Sequence, residues 1–190
     1  MSVVLQLLWL ALPIIAAGLV HLAVMKLDLL PGLRRMPLDG GLTFRGKRLF
    51  GDNKTWRGAV VTIGTTMFAA WGLAHLSGCC WSLPTLAPFA ETHPVVWGLL
   101  LGTGYIVGEL PNSFAKRQLG ISPGAAGQGL AGRAFWVVDQ VDSLVGMLVF
   151  IAPVWQPSFA LLALIIALML VAHPVSAWIM VLFGLKDRVG

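Results

Sequence analysis

Five apolar runs are separated by polar segments. They cover positions 3–25, 58–78, 94–110, 134–154 and 158–183. A helix rises about 1.5 Å per residue, so runs of this length match or approach a hydrocarbon core roughly 30 Å thick. The pattern predicts an all-α integral membrane protein with about five transmembrane helices, in a single membrane-embedded domain over residues 1–190.

The composition supports this class. Of all residues, 57% are hydrophobic and 11% are charged, whereas an average soluble domain carries about 25% charged residues. A soluble globular domain is therefore excluded. The formal charge of +5 does not predict nucleic acid as a partner, because in a membrane protein the placement of basic residues matters more than their sum.

Basic residues mark one side of the membrane. Eight Lys or Arg residues lie in segment 26–57, three lie in segment 111–133, and the tail contributes Lys186 and Arg188, while segment 79–93 has none. By the positive-inside rule, the segments that carry basic residues face the cytoplasm. We expect a multi-pass protein of the cell membrane, in contact with membrane lipids, with its N-terminus outside and its C-terminus cytoplasmic.

Acidic residues occur within or beside the predicted spans, where charge is costly. Asp139 and Asp142 are spaced i, i+3, so both carboxylates lie on one face of the predicted fourth helix. Mg²⁺ would offset their repulsion, since this ion binds one or two carboxylates together with substrate phosphates. The alternative is a structural ion network with Lys or Arg. Glu109, at the end of the third span, is either a third metal ligand or a helix-terminal acid near solvent.

Basic side chains near these acids suit a phosphate. Lys116 and Arg117 follow the third span, and a site that holds a metal and a triphosphate needs cations beside carboxylates. Four further donors lie in the first polar segment, at Asn53, Lys54, Thr55 and Arg57. They predict a second phosphate clamp. The alternatives are topology marking for the Lys-Arg pair and contact with anionic headgroups for the first segment.

Glycines form two groups. Segment 120–132 is glycine-rich, and its backbone amides either cradle phosphate or serve as a flexible linker. Its GxGxxG letters follow no strand, and no Walker sequence occurs, so neither a Rossmann fold nor ATP hydrolysis is indicated. The second group lies in the third span, at Gly98, Gly102, Gly104 and Gly108. Small residues at this spacing allow close helix contact, either within the monomer or at the seam of a possible homodimer.

Four short motifs occur in a characteristic order. They are Asn53-Lys-Thr-Trp-Arg-Gly58, Ser113-Phe-Ala-Lys-Arg117, Pro123-Gly124 and Asp139-Gln-Val-Asp142. From about residue 45 to residue 146, the chain resembles the CDP-archaeol synthase family, a short branch of the CdsA-like membrane cytidylyltransferases. The resemblance implies an enzyme that transfers CMP from CTP to a phosphorylated lipid, either phosphatidic acid or an ether-lipid phosphate, with release of pyrophosphate and with Mg²⁺ as cofactor.

The resemblance also implies residue roles. Asp139 and Asp142 match the metal-binding and catalytic acids, and Lys116 joins them as a catalytic residue. The implied substrate-binding residues are Asn53, Lys54, Thr55, Arg57, Ser113, Lys116, Arg117 and Gly124. Two departures separate the chain from the larger CdsA relatives: Pro-Gly-Ala-Ala-Gly stands for Pro-Gly-His-Gly-Gly, and Asp139-Gln140 stands for Asp-Arg. These departures favour the short archaeol-type branch.

Two other functions remain open at this point. A CDP-alcohol phosphotransferase also uses aspartates and Mg²⁺, but here Asp39-Gly40 lacks the Ala-Arg, Gly and Asp continuation of that pattern. A small transporter or scaffold with intramembrane acids would not need a dense basic segment. Incorporation of labelled CTP into lipid separates these possibilities.

Overall fold

In the computed structural model, the described residues are 3–79, 86, 89, 91–125 and 127–182. They form six helices and one short hairpin. The elements are α1 Val3–Lys26, α2 Pro31–Arg34, β1 Thr43–Phe44, β2 Lys47–Arg48, α3 Trp56–Cys79, α4 Pro94–Gln118, α5 Gly129–Ile151 and α6 Phe159–Leu182. The five long helices among them coincide in position with the five apolar runs, so the mostly helical fold class is confirmed.

Among the described residues, three stretches are long and apolar enough to cross a membrane. They are Gln6–Lys26, Trp56–Ser77 and Gly129–Ile151, and a shorter apolar stretch is Phe159–Val171. Helix α4 is not among them, and its second half carries polar side chains at Glu109, Asn112 and Lys116. Five spans and the orientation of the termini therefore stay predictions. The basic tail lies outside the described residues, as does most of segment 79–93.

The long helices pack as a row in which α4 has a neighbour on each side. Helix α1 contacts α3, α3 contacts α4, α4 contacts α5, and α5 contacts α6. A core cluster of Ala70, Trp97, Leu101, Leu144, Met147 and Ile151 lies where α3, α4 and α5 meet. Because lipid tails are as apolar as these side chains, close packing rather than removal from water holds such helices together.

Glycines of α4 allow its close contacts with α3 and with α5. A Cβ atom at Gly98 would lie 2.6 Å from the backbone oxygen of Thr66 on α3, and one at Gly108 would lie 2.5 Å from the backbone oxygen of Asp142 on α5. At Gly146 of α5, an added Cβ would lie 2.1 Å from the backbone oxygen of Gly104. The glycine pattern of the third span therefore serves packing inside the monomer, on two edges of one helix.

The segment between α1 and α3 is folded rather than extended. Strands β1 and β2 pair antiparallel across Arg45 and Gly46, which both have positive φ, 51° and 74°. Positive φ at both central residues is typical of the type I′ turns that connect hairpin strands. The ends of the segment also meet, since Pro37 forms a β-bridge with Thr55. The all-α prediction missed this hairpin.

Asp39 is the centre of that folded segment. Its buried carboxylate accepts the backbone N–H groups of Gly41, Phe50 and Gly51 at 3.0 to 3.2 Å, and the Arg48 guanidinium at 2.6 Å. Burial alone would raise the pKa of Asp39, but the hydrogen bonds from Arg48 and the backbone hold that pKa well below its usual range. Asp39 is therefore a structural acid of the loop.

Candidate functional site

A polar face of α4 forms one wall of the candidate site. Glu109, Asn112, Ser113 and Lys116 follow the i, i+3, i+4, i+7 spacing that places residues on one helix face. Asn112 and Ser113 are buried, each with 8% of its surface exposed. Buried polar side chains on a helix are costly without partners, so their contacts identify what the face is for.

Asn112 connects the two aspartates of α5. Its Nδ2 atom donates to Oδ1 of Asp139 at 2.6 Å and to Oδ2 of Asp142 at 2.7 Å. Asp142 also accepts the backbone N–H of Ser143 at 2.6 Å. One amide group therefore holds both carboxylates towards the same point, as the i, i+3 spacing predicted for the acids themselves.

Lys116 adds a positive charge to this group. Its ammonium donates to Oδ1 and Oδ2 of Asp139 at 2.5 and 2.6 Å, and it lies 5.7 Å from the centre of the Phe135 ring. The expected combination of a cation beside carboxylates is therefore present. The structural ion pair that was the alternative interpretation of the aspartates is present as well, between these same side chains.

A single stripe of α4 explains why these groups meet. Gly104, Gly108, Asn112 and Lys116 recur every four residues along the helix face that contacts α5. The glycines bring the two backbones together. One turn further along, the same stripe carries the side chains that contact Asp139 and Asp142.

Glu109 faces a different partner. Its carboxylate forms an ion pair with the ammonium of Lys54, which belongs to the folded segment before α3. In the described ranges of the chain, no group of three or more His, Cys, Asp or Glu side chains is placed to hold a metal ion. The structure thus brings Asp139 and Asp142 together but does not join Glu109 to them as a third ligand.

A first cavity lies between the folded segment before α3 and the end of α4, and Arg117 lines it. This cavity of about 260 Å³ is lined by Lys47, Arg48, Gly51, Asp52, Arg117, Gly120, Ile121, Ser122 and Pro123. Arg117 is 8% exposed, and within the described part of the chain its Nε and Nη1 atoms have no hydrogen-bond partner. A buried guanidinium with two unsatisfied nitrogen atoms, beside two further basic side chains, is suited to an anion.

The walls of the first cavity are fastened to each other. The Lys47 ammonium donates to the backbone oxygen of Gln118 at 2.6 Å. Gly51 has a φ of 90°, and a Cβ there would lie 3.0 Å from Pro123 and 3.3 Å from Arg117. Gly124 follows with a φ of 74° in an exposed turn. The first polar segment and the glycine-rich segment therefore form one cavity together.

A second cavity lies at the ends of α1 and α3. It measures about 330 Å³ and is lined by His21, Met25, Arg34, Asp52, Asn53, Thr55, Arg57 and Gly58. Three of the four predicted clamp residues, Asn53, Thr55 and Arg57, line it. The fourth, Lys54, contacts Glu109 instead.

The residues present can supply some of the ligands of a Mg²⁺ ion. Asp139 and Asp142 supply carboxylate oxygens that converge on one point, and hard oxygen ligands are what Mg²⁺ prefers. Asn112 presents its Nδ2 group, not its oxygen, to that point. Two carboxylates are a suitable protein share when substrate phosphates and water complete the octahedron.

Three residues of this region were not among the predicted site residues. Asn112 could have been found from the polar spacing of α4, because it lies between Glu109 and Lys116 on their face. Asp39 gave no such indication, since its role depends on how the loop closes. Asp28, which accepts from Arg34 at 2.7 Å and Arg57 at 3.0 Å, belongs to none of the motifs.

Comparison with known proteins gives consistent results. A family model described as CarS-like CDP-archaeol synthase matches residues 1–189. The chain is 32% identical over 154 residues to the CDP-archaeol synthase of Methanosphaerula palustris, covering 80% of each chain. It is 34% identical over 158 residues to that of Halobacterium salinarum, covering 80% of this chain and 82% of the relative.

A solved structure is also similar. It is described as an intramembrane enzyme for archaeal membrane lipids biosynthesis, and it matches with a TM-score of 0.62 at 24% identity. The match covers 90% of this chain and 92% of that one. At this identity the likeness shows the fold alone.

Proposed function

The chain belongs to the CarS-like family of CDP-archaeol synthases, and from that premise we propose that it transfers CMP from CTP to an ether-lipid phosphate. Membership makes it a CTP-dependent cytidylyltransferase that acts on a lipid phosphate in a membrane. The ether-lipid class is the finer part of the proposal. It is supported by relatives that are named for archaeol products.

One observation carries the proposal for the site. Asn112 and Lys116 of α4 converge on Asp139 and Asp142 of α5, and Arg117, the residue after Lys116, lines the first cavity with its Nε and Nη1 atoms unpaired among the described residues. Transfer between two polyanions needs charge cancellation and in-line positioning more than it needs acid–base chemistry. This arrangement supplies carboxylates for a metal next to cations for a triphosphate.

The reaction needs no general base. A lipid phosphate is anionic near neutral pH, and one of its oxygens attacks the α-phosphorus of CTP. The new oxygen–phosphorus bond forms as the bond to the bridging oxygen breaks, and pyrophosphate leaves with that electron pair. In the proposal, Lys116 and Arg117 bind the triphosphate, and Ser113 and Gly124 shape its surroundings.

Mg²⁺ is the proposed cofactor, held by Asp139 and Asp142. When bound, it would neutralise phosphate charge and orient the phosphate oxygens. The chain's own groups prepare the acids: Asn112 fixes the direction of both carboxylates, and Lys116, which also binds the triphosphate, balances the charge of Asp139. Glu109 is better explained as the partner of Lys54 than as a third ligand.

We also propose an orientation of the chain in the membrane. Five spans with the N-terminus outside would bring the basic segments 26–57 and 111–133, and with them the first cavity, to the cytoplasmic side, where CTP is available. Lipid tails would stay in the bilayer. A cysteine at position 45 should then resist an impermeant thiol reagent added from outside, whereas one at position 91, where the native side chain is exposed, should react.

Labelled CTP tests the function directly. The purified full chain in lipid nanodiscs is given labelled CTP, Mg²⁺ and either an ether-lipid phosphate or ester-linked phosphatidic acid. We expect a labelled CDP-lipid and pyrophosphate, with higher kcat/KM for the ether lipid. Preference for phosphatidic acid would overturn the finer proposal, and absence of any labelled lipid would overturn the function itself.

A further inference from the structure

The second cavity has two arginines, and the role of one of them, Arg34, is not explained by the sequence motifs. We propose that this cavity binds the phosphate headgroup of the lipid substrate, with Arg34 and Arg57 as its cations, and that the headgroup displaces Asp28 from them. The inference rests on the proposed function, because it identifies where one of the two substrates binds. It separates the lipid phosphate from the triphosphate, which would use the first cavity.

Position in the fold favours a lipid. His21 and Met25 lie on the last turns of α1, and Arg57 and Gly58 lie on the first turn of α3. Both helices are apolar enough to cross a membrane, so their ends coincide with the polar edge of a bilayer. Lipid phosphates occupy that level.

Exposed apolar residues close in sequence to the cavity lining also favour a lipid over a soluble phosphate. Leu27, Leu29, Leu30 and Met36 surround the turn between α1 and α3, and each has about half or more of its surface exposed, 46% to 67%. Exposed apolar side chains beside arginines are costly in water but suit acyl or isoprenoid chains. A nucleotide would gain nothing from such side chains.

Asp28 makes the contacts that a phosphate would make. Its Oδ1 atom accepts from Nη1 of Arg34 at 2.7 Å and from Nη1 of Arg57 at 3.0 Å. The Arg57 side chain is 11% exposed and needs an anion, whereas Asp28 is 53% exposed and can turn away into solvent. A phosphate monoester has more acceptor oxygens and more charge than a carboxylate, so it competes well for two guanidinium groups.

The lining of the second cavity includes the segment that contacts α4. Asn53 and Thr55 line it, and Lys54, between them, contacts Glu109 at the start of the polar face of α4. Asp52 lines both cavities. The short segment from Asp52 to Thr55 therefore separates the two proposed anion sites, which is the arrangement that a transfer between two substrates requires.

Binding of each substrate alone tests the assignment without depending on turnover. The full chain in nanodiscs is titrated separately with an ether-lipid phosphate, with inorganic phosphate and with CTP. The variants are Arg34→Gln, Asp28→Asn and, as a matched control, Arg35→Gln, which removes the same charge from the next residue outside the cavity lining. Arg34→Lys keeps the charge but removes the guanidinium, and it is the alternative variant if Arg34→Gln does not fold.

We expect Arg34→Gln to weaken lipid-phosphate binding about tenfold, since it removes a charge-assisted pair, and to leave CTP binding unchanged. Arg35→Gln should change neither, and Asp28→Asn should strengthen lipid-phosphate binding. Equal effects of Arg34→Gln and Arg35→Gln, a loss of CTP binding instead, or inorganic phosphate binding as tightly as the lipid would each overturn the assignment. Arg34-dependent lipid binding without CMP transfer would uphold the cavity and refute the proposed function.

Discussion

Lys54 of the segment before α3 forms an ion pair with Glu109 of α4. The two side chains are 21% and 22% exposed, so water screens the pair less than it screens a surface pair. This contact is where the second cavity adjoins the polar face of α4. Its integrity should therefore matter for catalysis more than for folding.

We expect Lys54→Gln and Glu109→Gln each to lower CMP transfer, because each breaks the contact between the segment before α3 and the polar face of α4. The double variant should recover part of the loss, as a double-mutant cycle detects for side chains in contact. The Mg²⁺ concentration for half-maximal activity should stay the same in Glu109→Gln. A rise of about tenfold or more, the size seen when a metal site is disturbed, would instead make Glu109 a ligand.

The carboxylate pair should be essential. Asp139→Asn and Asp142→Asn are each expected to lower kcat by about a hundredfold or more, because charge stabilisation of this kind supplies several kcal/mol. The measurement is labelled CMP transfer at saturating Mg²⁺. Glu91→Gln, an exposed acid just before the other end of α4, is the control and should keep full activity.

Asn112 should set the geometry of that pair. With Asn112→Ala the amide that holds both carboxylates is lost, and we expect activity to fall about 10- to 100-fold, as for other groups that orient metal ligands. The required Mg²⁺ concentration should rise as well, because the acids then repel each other without a shared donor. Gln156→Ala, which removes an exposed amide beyond the end of α5, should change neither quantity.

Gly146 should tolerate no side chain. The Cβ of Gly146→Ala would lie 2.1 Å from the backbone oxygen of Gly104, so α4 and α5 must separate, at a cost of about 1–3 kcal/mol. Melting of the purified protein should fall, and CMP transfer should fall further because Asp139 moves from Lys116. Gly72→Ala is the matched control, since its Cβ meets nothing within 4 Å among the described residues.

The first polar segment should depend on pH through Asp39. Since the pKa of Asp39 is lowered in the folded protein, its ionised form stabilises the fold above the unfolded pKa of about 3.9. That contribution is lost as the pH falls below about 4 towards the lower folded pKa. Asp39→Asn should therefore melt lower than the native protein at pH 7, and the difference should shrink in melts below pH 4. A difference that is constant from pH 3 to pH 7 would contradict this role.

Sequence alone located the helices and the chemistry along them. Long apolar runs located the five long helices, because uninterrupted apolarity leaves few alternatives. Two ends were wrong: α4 continues to Gln118 rather than to residue 110, and α5 begins at Gly129 rather than at residue 134. The spacing of Asp139 and Asp142 placed both acids on one face. These are properties of a single helix, which local periodicity determines.

Contacts between elements were not predictable in the same way. That Asn112 holds both aspartates depends on how α4 is turned towards α5, which Gly104 and Gly146 decide together. The pairing of Lys54 with Glu109 depends on how the loop returns to α4. The hairpin at Arg45-Gly46 did have a local indication in its glycine, but two-residue strands carry too little alternation to be recognised.

The four-residue stripe on α4 has a consequence for how the chain can change. A single residue inserted between Gly108 and Asn112 would rotate everything after it by about 100° and advance it by about 1.5 Å. The glycines would still pack, and the helix would still form, but Asn112 and Lys116 would point away from α5. Insertions and deletions in this turn should therefore yield stable, inactive proteins, so the length of the turn is under constraint even where its side chains are not.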